Sequence, residues 1–285
     1  MKWFLRITAI AFLSQFPMVS SINFTFPQER QISKSTPEEL ASLLKPYFQI
    51  KKPEGKGPFP TVLGFHAAGG IKSGNGDWMN YLVGLGYATI LVDSFTSRGL
   101  TQEQILQGKI ASPAKRAGDA IVALDEARKL PFVDAERLAL MAWSHGALTI
   151  MDLLAMDPPR ELPPNLTSCS EQPFRGVRAA VLIYPPCGFP ARSRGRGWSQ
   201  DIRTLMLLSG IDSRAPAKDC LDIVSILRAN GRPVTTHIYP SADHAFDMRA
   251  EDFKEYNVAP KTNPEAIADA RLRVKEFLAD AFNAK

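Results

Sequence analysis

Ser144 stands where an apolar stretch gives way to small residues, in the segment "LALMAWSHGALT" at 138–149. A serine at such a junction has two possible roles. It can cap the helix that follows, its hydroxyl accepting a backbone N–H, or it can be a nucleophile on a tight strand-to-helix turn. The tight turn requires small neighbours. Gly146 supplies one, and Ala142 replaces the first glycine of the G-x-S-x-G pattern.

An acid and a histidine follow two later apolar stretches of the chain. Asp212 comes after 203–209, and His244 comes after 234–240. Taken alone, each is an ordinary loop carboxylate or a structural histidine. In the order Ser, Asp, His they match the catalytic triad of α/β-hydrolases, in which imidazole takes the serine proton and the carboxylate orients the imidazole. The sequence therefore predicts Ser144 as nucleophile, His244 as base and Asp212 as orienting acid. Asp219 and Asp222 are second choices for the acid.

Buried strands alternate with helices along the rest of the chain, and their order decides where these residues lie. The apolar stretches predict six core strands, at 60–66, 87–95, 137–143, 178–185, 203–210 and 234–240. Helices are predicted at about 76–85, 113–130, 145–156, 217–230 and over the C-terminal segment, where Ile267, Leu272, Val274, Phe277, Leu278 and Phe282 are expected to form one apolar face. An antiparallel strand and turn are expected within 46–60, and a proline-rich insertion loop at 157–176. This alternation is typical of a mostly parallel, doubly wound α/β sheet with helices on both faces, whose reactive groups gather at the carboxyl ends of the strands.

The length and composition of the chain are typical of a single domain large enough to be an enzyme. The chain has 285 residues, 45% of them hydrophobic and 22% charged, which is ordinary for a globular protein. The net charge of +5 is spread along the chain, so nucleic-acid binding is not indicated. We expect a small-molecule partner, no nucleic acid and no stable membrane span in the mature protein.

The N-terminus resembles a secretory signal peptide. Lys2 and Arg6 precede an apolar segment at 7–16, and small residues follow it. We therefore expect residues 1–21 to be removed and 22–285 to form a single exported domain, periplasmic or secreted. The alternative is an amphipathic N-terminal helix that the mature protein retains.

Several longer motifs resemble the dienelactone hydrolase family of α/β-hydrolases, and the similarity runs through roughly 44–284. They are "HAAGG" at 66–70, "GYATILVDSFTSRG" at 86–99, "LPFVDAERLALMAWSHGA" at 130–147, "GIDSRAPAKDC" at 210–220 and "YPSADHAFD" at 239–247. The resemblance implies the α/β-hydrolase fold and hydrolysis of carboxylic esters or lactones through an acyl-enzyme. The founding enzymes of the family often have cysteine where this chain has Ser144, so dienelactone itself is not inferred as the substrate.

Further roles around the site follow from the fold and mechanism. Backbone N–H groups of His145 and Ala68, with Ala67 as the alternative to Ala68, are expected to form the oxyanion hole. Arg98 has two possible roles, binding a substrate carboxylate or tying down its own loop. The imidazoles of His66 and His145 are expected to support loops. The predicted chemistry requires no metal and no organic cofactor.

Three cysteines lack any metal-binding spacing. Cys187 and Cys220 each follow one of two consecutive strands, which should be neighbours in the sheet. A Cys187–Cys220 bridge is therefore predicted if the protein is exported, and two buried free thiols are the alternative. Cys169 belongs to the insertion loop.

Two other classes of function remain open at this stage. A peptidase or acyltransferase would use the same triad, and a noncatalytic binding protein would retain only the scaffold. An ester assay on the wild type beside Ser144→Ala separates these possibilities.

Overall fold

The computed structural model describes residues 33–100, 104, 113–188, 191–253 and 261–284. The predicted signal peptide lies outside these residues. The strands are β1 (Phe48–Lys51), β2 (Phe59–Phe65), β3 (Ala88–Val92), β4 (Val133–Trp143), β5 (Val177–Ile183), β6 (Arg203–Ser209) and β7 (Val234–Tyr239). The helices are α1 (Pro37–Leu44), α2 (Ser73–Gly84), α3 (Pro113–Arg128), α4 (His145–Ala155), α5 (Ser193–Arg196), α6 (Ala217–Ala229) and α7 (Pro264–Asn283). Short 3-10 turns occupy 45–47, 96–98 and 250–253.

The seven strands form one sheet in the order β1-β3-β2-β4-β5-β6-β7. Only β1 runs antiparallel, pairing with β3 at one edge, and the other pairs are parallel. Helices α1, α3, α4 and α6 contribute to the core on one face, and α2 and α7 contribute to the core on the other. The predicted doubly wound α/β fold is confirmed, and all the parallel strands end at the same edge.

Most predicted elements are present, with shifted ends. The antiparallel strand expected within 46–60 is β1, and β4 begins at Val133 rather than at 137. Helix α1 was not predicted. It begins with a capping box, in which the Thr36 hydroxyl accepts from the N–H of Glu39 at 3.2 Å and the Glu39 carboxylate accepts from the N–H of Thr36 at 2.9 Å.

The apolar face predicted for the C-terminal helix is wrong at Leu272, whose side chain is 49% exposed. The buried stripe of α7 includes Ala270, Val274 and Leu278, at a spacing of four residues. Alanines such as Ala270 thus occupy buried positions of α7, whereas the prediction used only larger apolar side chains to identify the buried face.

A disulfide links Cys187, just after β5, to Cys220 in the first turn of α6, with their Cα atoms 4.9 Å apart. This disulfide confirms the predicted bridge. The two cysteines are close because β5 and β6 are neighbours in the sheet. Cys169 is a free, half-buried thiol. Within the described ranges, no helix is both long and apolar enough to cross a bilayer.

Candidate active site

Ser144 lies on a sharp turn between β4 and α4, with φ 48° and ψ −116°. Its side chain makes no capping hydrogen bond to α4, so the capping alternative is not what the structure shows. Its Oγ is instead 2.9 Å from Nε2 of His244. The turn packs tightly on the end of β2, where a Cβ on Gly146 would stand 2.2 Å from the carbonyl oxygen of Phe65. Glycine is therefore required at 146.

The second ring nitrogen of His244 faces Asp212, with Nδ1 and Oδ2 2.6 Å apart. The other carboxylate oxygen of Asp212 accepts the backbone N–H groups of Arg214 at 2.8 Å and Ala215 at 2.9 Å. Burial alone would raise the pKa of Asp212, but the hydrogen bond from His244, the positive charge of His244 when it is protonated and these two N–H donors bring it below its ordinary value. An ionised Asp212 requires a proton on Nδ1, which leaves Nε2 as an acceptor for the Ser144 hydroxyl.

These three residues come from the ends of β4, β6 and β7, and the structure joins them in the predicted order. The carboxylate of Asp212 is fully buried, whereas 14% of the His244 side chain is exposed. The imidazole is thus reachable from solvent on the side of Ser144, and its orienting partner is shielded from water.

The loop after β2 brings Ala67 and Ala68 to the same cavity as Ser144. The buried side chain of His66 supports this loop, because its Nδ1 lies 2.7 Å from the carbonyl oxygen of Ala67 and its Nε2 accepts the N–H of Ser94 at 3.2 Å. Burial, followed by the charge of Arg116, lowers the pKa of His66 well below its ordinary value. His66 is therefore neutral and supports the loop, as expected from the sequence.

Arg98 ties its loop to helix α3. Its guanidinium forms a two-pronged ion pair with Asp119, at 2.8 and 3.0 Å, and donates to the carbonyl of Ser94 at 2.6 Å. Asn165 also donates to Asp119, at 3.2 Å. The structure therefore shows the second predicted role of Arg98, which is to hold its own loop in place. Arg98 is not among the residues that line the cavity at Ser144.

Two residues near His244, Asp247 and Tyr184, had no predicted role. Asp247 is buried and accepts hydrogen bonds from the indoles of Trp78 at 2.8 Å and Trp143 at 2.9 Å, and from the Tyr184 hydroxyl at 2.7 Å. Burial raises the pKa of Asp247 even though these three bonds favour the carboxylate. Tyr184 has φ +39°, and its ring centroid is 4.9 Å from that of His244.

Asp247 therefore anchors the loop that carries His244, three residues away. The signal in the sequence was an acid embedded in the apolar segment "HAFD". Its partners come from distant parts of the chain, so residue spacing does not reveal them.

The cavity at Ser144 is lined mainly by apolar and backbone groups, and two cationic side chains contribute to its wall. The charged lining residues are Lys72 and Arg214, and no Asp or Glu side chain belongs to the described lining. The Nζ of Lys72 lies 5.9 Å from the ring centroid of Phe253. In the part of the chain that the structure describes, no three His, Cys, Asp or Glu side chains are grouped as metal ligands.

The chain is similar to solved structures and to a curated protein. A dienelactone hydrolase-like promiscuous phosphotriesterase from metagenomic libraries has a TM-score of 0.64 and 16% identity, covering 83% of this chain and 92% of that one. A thermophilic esterase of Thermogutta terrifontis, solved with propionate bound, has a TM-score of 0.59 and 16% identity, covering 84% and 91%. A curated protein of Grosmannia clavigera named "Probable dipeptidyl-aminopeptidase B" is 22% identical over 182 residues, which is 59% of this chain and 18% of that protein's length.

The sheet order, the sharp serine turn and these structural neighbours show that the chain has the α/β-hydrolase fold. Residues 167–282 match the model of the dienelactone hydrolase family. This match confirms the resemblance seen in the sequence.

Proposed function

We propose that the protein is a serine hydrolase that cleaves carboxylic esters or lactones through an acyl-enzyme. One observation carries the proposal: Ser144 Oγ, the imidazole of His244 and the carboxylate of Asp212 form a continuous hydrogen-bonded chain of 2.9 and 2.6 Å. In this arrangement the base is within reach of the nucleophile's proton, and the base itself is oriented by a buried anion.

The first half of the reaction forms the acyl-enzyme. Ser144 Oγ attacks the carbonyl carbon while its proton passes to Nε2 of His244, and the carbonyl oxygen becomes an oxyanion that accepts the backbone N–H groups of His145 and Ala68. Asp212 stabilises the imidazolium. The ester C–O bond then breaks, and Nε2 returns the proton to the leaving alkoxide oxygen. In a lactone the released alcohol stays attached to the acyl group.

The second half releases the acid. Water attacks the acyl carbon while giving a proton to Nε2 of His244, and collapse of the second oxyanion breaks the bond to Ser144 Oγ, which recovers that proton. An alcohol in place of water would make the same site an acyltransferase.

A peptidase activity is the second candidate, because the curated relative is named as an aminopeptidase. A substrate of an aminopeptidase carries a protonated terminal amine. The described lining of the cavity contains the cations Lys72 and Arg214 and no carboxylate side chain to receive such an amine. The described lining therefore offers no side-chain anion to such an amine, which supports esters and lactones over peptides with a free N-terminus.

We also propose that residues 1–21 are removed during export. The basic start and apolar segment support this, and so does the Cys187–Cys220 bridge, since disulfides persist in oxidising compartments. N-terminal sequencing of the protein from its natural host should give a start near residue 22. An intact Met1 in the mature protein would oppose the proposal.

The activity is tested with p-nitrophenyl acetate and butyrate beside the matching p-nitroanilides. Ser144→Ala should lower kcat by at least about 10³-fold. Ser213→Ala, a substitution at an exposed serine next in sequence to the lining residue Arg214, should leave the rate unchanged. Turnover of anilides but not esters would favour the peptidase, and no turnover of either would favour a binding protein.

A further inference from the structure

Arg116 in α3 is a fully buried cation without a carboxylate hydrogen-bonded to it among the described residues. Its guanidinium donates to the carbonyl of His66 at 2.8 Å, lies 3.4 Å from Nδ1 of His145, and stacks 4.8 Å from the ring centroid of Phe95. Within the described structure its Nε and second terminal nitrogen have no hydrogen-bond partner. Asp119, one turn further along α3, is hydrogen-bonded to Arg98 instead.

Such an arrangement destabilises the folded protein, since a buried charge normally requires a directly paired counter-charge. Burial is also the main reason that the pKa of Arg116 falls to about 10. The group is therefore still cationic at neutral pH, although its environment disfavours the charge. A positive charge kept under these conditions points to a role other than stability.

The position of Arg116 relative to the loop after β2 suggests that role. The carbonyl that it binds belongs to the His66–Ala67 peptide, whose N–H is that of Ala67. The next peptide is polarised in the same sense, because the His66 ring bonds the carbonyl of Ala67, whose partner N–H is that of Ala68. A donor on a peptide oxygen increases the positive character of the N–H at the other end of that peptide.

The same guanidinium also contacts the side chain of His145, whose backbone N–H is the other expected oxyanion donor. The cation is thus bonded to the peptide that precedes the Ala67–Ala68 peptide and lies against the side chain of His145. It is fully buried and is not among the residues that line the cavity, so we expect no direct contact with the substrate.

We propose that Arg116 is a positioning residue that sets the loop after β2 and, through its charge beside the His66 carbonyl and the His145 side chain, stabilises the oxyanion formed during ester cleavage. This inference rests on the proposed esterase function. Negative charge on the carbonyl oxygen develops only as the tetrahedral intermediate forms, so the contribution of Arg116 is to kcat and not to substrate binding.

The kinetic test compares Arg116→Met with Arg128→Met, which removes a guanidinium from the far end of the same helix. With p-nitrophenyl butyrate, Arg116→Met should lower kcat by about 10- to 100-fold, less than the loss of a direct donor, and leave KM within about 3-fold. Arg128→Met should leave both constants near wild type. A rise in KM with an unchanged kcat would overturn the proposal.

A direct test uses a trifluoromethyl ketone labelled with 13C at the carbonyl, which forms a hemiketal with the active-site serine. The 13C shift against pH gives the pKa of the bound oxyanion. Arg116→Met should raise that pKa by at least one unit relative to wild type, whereas Arg116→Lys, which keeps the charge, should give a smaller rise. The titratable groups around the guanidinium, which stay the same in every variant, are His66, His145, Asp93, Asp119 and Arg98.

An unchanged oxyanion pKa in Arg116→Met would refute the role of the charge. If that variant fails to fold, Arg116→Gln carries the same test, because it keeps an amide donor and lacks the charge. Absence of any hemiketal in the wild type would instead count against the proposed function, so the two failures are distinguishable.

Discussion

Loss of the Cys187–Cys220 bridge should destabilise the protein by several kcal/mol without removing activity. The two cysteines are 33 residues apart in the sequence. Closing a loop of this length lowers the entropy of the unfolded chain by an amount worth about 4 kcal/mol at 25 °C. For a domain of this size, that free energy corresponds to a fall of roughly 8 °C in the melting temperature.

The effect on catalysis should be small. Asp212 lies between β6 and α6, and its carboxylate is held by His244 and by the N–H groups of Arg214 and Ala215. None of these contacts involves either cysteine. We expect kcat/KM at 25 °C to stay within about 3-fold of wild type, since this hydrogen-bonded geometry is independent of the bridge.

The assay is thermal unfolding of the wild type with and without reductant, and of the double variant Cys187→Ala/Cys220→Ala. Cys169→Ala is the matched control, because it removes a half-buried cysteine that is already free. Equal melting temperatures for the oxidised wild type and the double variant would show that the bridge does not stabilise the fold. Three free thiols in the denatured, unreduced protein would refute the bridge itself.

Three further predictions concern stability and the site. Burial raises the pKa of Asp152 to about 6, so its ionised form destabilises the fold fully above pH 6, and this penalty disappears as pH falls toward 4. Asp152→Asn should therefore raise the free energy of unfolding by about 3 kcal/mol in urea titrations at pH 8 and by little at pH 4. Gly146→Ala should abolish ester turnover or folding, as measured by assay and circular dichroism, because its Cβ would lie 2.2 Å from the Phe65 carbonyl; wild-type rates would contradict the tight turn. Asp247→Asn should cost about 2 kcal/mol of stability and lower kcat, because an amide cannot accept all three hydrogen bonds; a Tyr184→Phe variant of equal stability and full activity would show that the hydroxyl contributes nothing.

The predictions that succeeded depended on the order of residues along the chain. Parallel strands end at one edge, so residues that follow β4, β6 and β7 had to meet there, and Ser144, Asp212 and His244 do. Neighbouring strands likewise placed Cys187 beside Cys220.

The features that could not be predicted depend on contacts between distant segments. Asp247 takes its three donors from Trp78, Trp143 and Tyr184, and sequence spacing does not reveal such a set. Arg98 was ambiguous for the same reason, because its partner Asp119 lies on another element.

In the proposed reaction Ser144 is the nucleophile and His244 activates it. Both roles can be tested by mass spectrometry after treatment with a p-nitrophenyl phosphonate. We predict one adduct per chain, located on the peptide that contains Ser144, with parallel loss of ester turnover, no adduct in Ser144→Ala and a much slower one in His244→Ala. An adduct that forms at the wild-type rate in Ser144→Ala, or ester turnover that survives that substitution, would show that Ser144 is not the nucleophile.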